Sequence, residues 1–324
     1  MEHVGLFVLG LALLTVGAPL LVFGSARLDR LTGRSPFAVG AVAVCFGPCV
    51  AVLAFDLAAV LRQPPVTRLA VGHIVGSNVA SIGLVLGAAA LVRPVAGSAK
   101  LFRIAIPLAI GANLLFWFLA RNSPLSRVDA GFLLAAAVVA LVLLVRAARR
   151  ESETVKGEFA GWVPERTTVW VAVLFALAGL ASLVGGAFLT ASELTGTAEH
   201  LALTKRILVL GDTIAAFGTA LPAAVVAVLA ARRGRSDLVL GVVVGPVIFN
   251  LLLTAALVAM LRPLVIDPPV IMDVIPVMAL FALLLLPVLL NGLKVPRWEG
   301  LILLAAYAGF VTWQVLRVPT APVR

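Results

Sequence analysis

The sequence of 324 residues is short of charge, because Asp, Glu, Lys and Arg make up only 12% of it, against about 25% in an average soluble domain. It has two cysteines, Cys45 and Cys49, which lie one helical turn apart and are poorly placed for a disulfide. The sequence also lacks the P-loop, the nucleophile elbow and the H-E-x-x-H zinc motif. These absences argue against a soluble domain, a disulfide scaffold and an enzyme.

Hydrophobic residues make up 62% of the chain, which is enough for about ten membrane-crossing helices of roughly 20 residues each. The net charge of +10 would suggest nucleic acid binding in a soluble protein. Here the basic residues lie in short loops between apolar runs, where positive charge sets membrane orientation. We therefore expect a lipid bilayer, and no nucleic acid, around this chain.

Apolar runs predict an all-α membrane protein with ten transmembrane helices, since runs of this length are too long for the strands of a membrane barrel. The predicted spans are 4–26, 36–61, 67–92, 102–120, 127–147, 167–194, 204–231, 237–261, 270–291 and 298–316. The longest polar stretch, 148–166, divides the chain into a first five-helix unit, 1–147, and a second, 167–324.

The two units resemble each other in sequence. At a fixed offset of 169 residues, Gly72 and Gly76 match Gly241 and Gly245, and an Arg-Pro pair at 93–94 recurs at 262–263. Because each unit has an odd number of helices, the second must enter the membrane from the opposite side. This predicts an inverted repeat, the arrangement in which secondary transporters place their substrate site near the bilayer midplane.

Two strings within the repeats resemble the sodium/calcium exchanger family of the calcium/cation antiporter superfamily. They are Gly-His-Ile-Val-Gly-Ser-Asn at 72–78 and Ala-Phe-Gly-Thr-Ala-Leu-Pro at 216–222. The family carries a G-T-S-x-P-E motif on one helix and G-N-x-x-G-S-N on the next. The resemblance implies alternating-access exchange of cations, with ligands drawn from helices 2, 3, 7 and 8.

The chain departs from the family at the positions that bind the ion. Val52 and Ala223 stand where the family motif has its two glutamates, and Pro246-Val247 replaces the second Ser-Asn pair. Of the motif side chains, the resemblance carries over Ser77, Asn78 and Thr219 as ion-binding candidates. Calcium takes 6–8 oxygen ligands with carboxylates among them, so strong calcium binding is not expected at this site.

Asp56 is the candidate that could replace a missing glutamate, because it lies one helical turn beyond Val52 and a charge inside a span is a functional hypothesis by default. The alternative is an Asp near the end of its helix that pairs with Arg62.

Three weaker ion-binding candidates are Asp212, His73 and Asn250. Asp212 is expected near the membrane surface on an access path, or as a solvated residue early in its helix. His73 could couple transport to protons, since histidine changes charge near neutral pH, or could simply be a packed hydrogen-bonding residue. Asn250 could line the site or form a hydrogen bond between helices.

The sequence thus predicts a secondary active cation antiporter of the cell membrane, with monovalent cation or proton exchange favoured over strong calcium binding. The transported cation could be sodium, a proton or calcium, and no resident cofactor is expected. The alternative is a pseudo-exchanger that keeps the scaffold but does not transport, and serves as a membrane interaction or regulatory protein.

The charge pattern makes a prediction about orientation. Of the 25 Lys and Arg residues, 16 lie in the loops after odd-numbered helices, and the richer set is expected in the cytoplasm. We predict that both termini face outside and that 148–166 faces inside. Alkaline phosphatase, which folds only outside the cytoplasm, should be active when fused after residue 324 and inactive when fused within 148–166. The reverse pattern would show that the chain is inserted the other way.

Overall fold

The computed structural model describes residues 2–32, 36–98, 100–149, 168–200 and 207–317. They form ten long helices, labelled α1 to α10. The first five are α1 Glu2–Thr32, α2 Pro36–Leu61, α3 Thr67–Val92, α4 Phe102–Ala120 and α5 Arg127–Arg149. The second five are α6 Val169–His200, α7 207–232, α8 Ser236–Leu261, α9 Val270–Leu290 and α10 Arg297–Arg317. The fold class predicted from the sequence is confirmed, and α1 and α6 extend several residues beyond the predicted spans. Most of the 148–166 linker lies outside the described residues.

Nine stretches among the described residues are long and apolar enough to span a membrane. The remaining helix, α2, has 26 residues, and at 1.5 Å per residue this exceeds the roughly 30 Å of a bilayer core. Helices satisfy their own backbone groups, which is why these apolar runs can lie in lipid without strand partners. The chain is a multi-pass membrane protein.

The central helices of the two halves repeat each other in length and position. Helix α3 spans Thr67–Val92 and α8 spans Ser236–Leu261, so both ends of the two helices differ by 169 positions. Each contains a π-helical segment, and the two segments, Ser81–Leu86 and Asn250–Thr254, begin 169 positions apart. Such π-helical insertions are frequent at functional sites.

Short backbone pairings between loops follow the same symmetry. Strand β1, Val95–Ala96, pairs antiparallel with β2, Lys294–Val295, joining the loop after α3 to the loop after α9. A matching bridge joins Leu125 to Leu264, in the loops after α4 and α8. Since successive helices cross in opposite directions, these two pairings lie at opposite membrane faces. An inverted repeat related by an axis in the membrane plane places them there.

Helices α3 and α8 form the centre of the bundle. Within their hydrophobic windows, 83% and 89% of residues are buried, whereas α5 has 22% buried. Helix α5 therefore exposes most of its surface to lipid, while its other side packs against the Asn250–Leu261 part of α8. This burial places the motif residues of both repeats inside the protein.

Helix α7 packs directly against the backbone of α3. A Cβ atom built on Gly76 would lie 2.3 Å from the carbonyl oxygen of Asp212, and one built on Gly211 would lie 2.5 Å from that of Leu69. Both distances are too short for any side chain, so glycine at both positions permits the contact. The contact sets the distance between His73 on α3 and the polar residues of α7.

This contact yields a stability prediction. Gly76→Ala should lower the free energy of unfolding by about 1–3 kcal/mol, because the added methyl group meets backbone that cannot move aside. Gly111→Ala on α4 is the matched control, because a Cβ there meets no atom within 4 Å. Thermal unfolding of both variants in detergent would measure the difference. Equal stability of the two would contradict the contact.

Candidate ion-binding site

His73 joins three helices through its two ring nitrogens. Nδ1 lies 2.7 Å from Oδ1 of Asp56 on α2, and Nε2 lies 2.8 Å from Oγ1 of Thr219 on α7. Asp56 and His73 have no exposed surface, and Thr219 is 2% exposed. The site is therefore a fully buried chain of carboxylate, imidazole and hydroxyl, and we call these three residues the central triad.

The hydroxyl of Thr219 can donate either to the His73 ring or to a carbonyl of its own helix, and this choice depends on the charge of the imidazole. Oγ1 lies 3.1 Å from the carbonyl oxygen of Ala215 as well as 2.8 Å from His73 Nε2. A neutral His73 that donates from Nδ1 to Asp56 needs the Thr219 hydroxyl to donate to Nε2. A protonated His73 donates from both nitrogens, and Thr219 then donates to Ala215. The contacts of His73 with Asp56 and Thr219 are therefore kept whether the imidazole is neutral or protonated.

The ring of Phe55 covers one face of the imidazole. The two ring centroids are 4.1 Å apart with an angle of 42° between the planes, and Phe55 has no exposed surface. Phe55 directly precedes Asp56 on α2, so one helix supplies both the hydrogen-bond partner and the apolar cover of His73. This contact fixes the ring and excludes water from that side.

A second polar group lies one helical turn further along α3. The amide nitrogen of Asn250 on α8 lies 3.5 Å from Oγ of Ser77, and the amide nitrogen of Asn78 lies 3.7 Å from the sulfur of Met278 on α9. The amide oxygens of Asn78 and Asn250 have no hydrogen-bond partner among the described residues. Unsatisfied buried acceptors call for a ligand or a donor.

The triad itself also has an unsatisfied acceptor. Oδ2 of Asp56 is buried and has no hydrogen-bond partner among the described residues. Buried carboxylate and amide oxygens without donors are the groups that a cation would coordinate. The observed partner of the Asp56 carboxylate is His73, whereas Arg62 donates to Thr195 on α6.

The positions that the family motif assigns to glutamate are part of the hydrophobic core. Val52 and Ala223 are each 3% exposed, and Val247 is fully buried. The symmetric scaffold therefore carries an asymmetric set of polar groups. Asp56 and His73 come from the first repeat and Thr219 comes from the second.

Asp212 lies apart from the triad. Its carboxylate is fully buried and accepts a hydrogen bond from Gln314 on α10. It is not a solvated residue, which was one of its two interpretations from the sequence. Gln314 and the nearby Tyr307 were missed by sequence analysis, although two polar side chains seven residues apart on one face of an apolar helix are a usable signal.

A family model for the sodium/calcium exchanger protein matches residues 2–146 and 170–316. The chain belongs to this family. It is accordingly a membrane cation antiporter rather than an enzyme, and the family expectation drawn from the two motif strings is confirmed.

Curated relatives agree over nearly the whole chain. The putative antiporter CaxA of Alkalimonas amylolytica is 31% identical over 94% of this chain and 96% of its own length. The sodium/calcium exchanger MaX1 of Methanosarcina acetivorans is 27% identical over the same shares. The inner membrane protein YrbG of Escherichia coli is 32% identical over 81% of both chains.

A solved structure has the same architecture. The sodium-calcium exchanger NCX_Mj, soaked with 10 mM Na⁺ and 10 mM Sr²⁺, superposes with a TM-score of 0.71 at 26% sequence identity. The match covers 96% of this chain and 97% of that one. The ten-helix arrangement around the triad is thus that of a known exchanger.

The triad yields a prediction about coupled stability. His73→Leu should destabilise the protein by about 3–5 kcal/mol, because it leaves the Asp56 carboxylate buried without its partner. Adding Asp56→Leu should recover part of this loss, since the uncompensated charge disappears with it. A double-mutant cycle by denaturant unfolding in detergent measures the coupling. Additive effects of the two substitutions would contradict the pairing.

Proposed function

We propose that this antiporter exchanges one proton for one monovalent cation at the central triad. The observation that carries the proposal is the hydrogen bond between Asp56 and His73, two titratable groups with no exposed surface. A proton on the imidazole and a cation beside the carboxylate compete to balance the same negative charge. Competition of two ions for one site is the basis of antiport.

Charge balance supports a monovalent ion. With His73 protonated, the Asp56–His73 pair is neutral and has no need of a cation. With His73 neutral, the pair carries one negative charge, which costs several kcal/mol in a low-dielectric interior unless it is compensated. A monovalent cation restores neutrality, whereas a divalent cation leaves one positive charge unpaired.

The ligand set argues in the same direction. Oδ2 of Asp56 is unpartnered, and the hydroxyl of Thr219 can turn an oxygen lone pair toward an ion when it donates to Ala215.

A second set of neutral oxygens lies one helical turn away, on Ser77, Asn78 and Asn250. These oxygens form a second step on the path of the ion. The positions of Val52 and Ala223 supply no carboxylate. One charge and several neutral oxygens suit a monovalent cation better than calcium.

The organisation of the chain in the membrane belongs to the same proposal. The two repeats are 1–147 and 167–324, joined by a cytoplasmic linker at 148–166, with both termini outside. Alternating access then exposes the triad to one face at a time.

The proposal is tested by ion flux in proteoliposomes that carry a pH-sensitive dye and an outward proton gradient. External Na⁺ or K⁺ should collapse the gradient in the wild type, and Ca²⁺ should do so at least tenfold more slowly. Because one charge moves each way, the rate should not depend on an imposed membrane potential. Asp56→Asn should lower the rate at least tenfold, since the amide lacks the negative charge that the His73 proton and the cation balance in turn.

Asp273→Asn is the matched control, because Asp273 is half exposed on α9 and bonds to Arg317 outside the triad. It should transport as the wild type does. Calcium exchange as fast as sodium exchange would overturn the proposal. A folded protein that moves none of these ions would instead support the non-transporting pseudo-exchanger.

A further inference from the structure

Asp212 is a second buried carboxylate that the central triad does not use. It lies in the π-helical segment Gly211–Ala215 of α7 and has no exposed surface. It precedes Thr219 by seven residues, which is about 10 Å along the helix. The position places it between the triad and the membrane face at which α7 begins.

The immediate partners of Asp212 come from α10 and are neutral. Gln314 donates to Oδ2, while Oδ1 has no hydrogen-bond partner among the described residues. Tyr307 lies two helical turns before Gln314 on the same face of α10, and it interacts electrostatically with Asp212. The buried Tyr307 hydroxyl also lacks a partner among the described residues. Two unsatisfied oxygens thus come from facing helices.

Arg317 on α10 interacts electrostatically with Asp212, but no charged group among the described residues bonds to the Asp212 carboxylate. The guanidinium of Arg317 on α10 bonds to Asp273 and to the carbonyl oxygen of Pro269, and Arg68 on α3 pairs with Asp267. His73 on α3 bonds to Asp56 and Thr219. An ionised Asp212 would therefore leave a charge in the interior without a bonded cation.

A proton fits this site better than a metal ion. Biological cations such as Ca²⁺ and Mg²⁺ take six or more oxygen ligands, whereas the described side chains at Asp212 supply the oxygens of three residues. Thr213, the next residue, bonds to the carbonyl oxygen of Val209. One proton on Oδ1 removes the charge, which the neutral side chains of Gln314 and Tyr307 do not compensate.

An apolar groove of about 740 Å³ lies between α7 and α10 next to the site. Its lining includes Ile214, Phe217, Val311 and Val315, together with Thr213 and Tyr307. Water reaching Asp212 from this side would have to cross hydrocarbon. Protons therefore reach Asp212 from the near aqueous face or from the triad.

We propose that Asp212 is a second proton-binding site, which holds a proton on Oδ1 at neutral pH and receives it from the membrane face at which α7 begins. The O–H bond forms on the carboxylate as the proton arrives, and the side chain passes from one negative charge to neutral. This site is separate from the proton–cation exchange proposed for the central triad, so its proton can be detected without measuring transport.

Infrared difference spectroscopy on the full chain in lipid vesicles detects the carbonyl stretch of a protonated carboxylic acid. The wild type should show this band at neutral pH, and it should shift in heavy water. Asp212→Asn should abolish the band, whereas Asp129→Asn should leave it in place, because Asp129 bonds to Ser126 at the start of α5. Gln314→Leu should move it to higher frequency, because it removes the hydrogen bond that Gln314 donates to the acid group.

Two results would overturn the proposal. One is a wild-type spectrum without the band at neutral pH, which would mean that Asp212 is ionised. The other is a band that persists unchanged in Asp212→Asn, which would assign the proton to another acid such as Asp56. The two proposals can fail separately. If the band is lost in Asp212→Asn but the wild-type protein moves no protons, the Asp212 site is supported and only the proposed exchange is overturned.

Discussion

The site depends on the close contact of α3 and α7, because this contact determines which polar groups can meet inside the bilayer. Glycines at positions 76 and 211 let the two backbones touch, and His73 then reaches Thr219 on one side while Asp56 approaches from α2 on the other. In a low-dielectric interior an unpaired charge costs several kcal/mol. The contact is what supplies each charged group with its partner.

A symmetric scaffold carries an asymmetric site. The helix bounds, the π-helical segments and the loop pairings of the two halves correspond at a nearly constant offset, so the backbone keeps the duplication. The polar groups do not, since Asp56 and His73 in the first repeat correspond to apolar positions in the second. Backbone geometry is maintained by hydrogen bonds and packing that many apolar side chains satisfy, whereas one ion needs one particular set of charges.

The buried polar residues form two groups at different positions in the bundle. One is the central triad, whose proton states are linked to the orientation of the Thr219 hydroxyl. The other is Asp212 with Gln314 and Tyr307, where α10 contributes the partners. Helix α10 is outside the motif helices of the family, so the second group adds a connection between the exchanger core and its periphery.

The sequence by itself determined the number of helices, most of their bounds and the inverted repeat, because apolar length and internal similarity are local properties of the chain. It also indicated Asp56 and His73 separately as polar residues in apolar runs, and Thr219 through the resemblance to the family motif. Only the tertiary structure decided that His73 joins the other two, that Arg62 is not the partner of Asp56, and that Gln314 bonds to Asp212. The contacts of His73 with Asp56 and with Thr219 join residues 17 and 146 positions apart, and that of Gln314 with Asp212 joins residues 102 positions apart. They are set by how helices pack against one another, which the periodicity of a single helix does not encode.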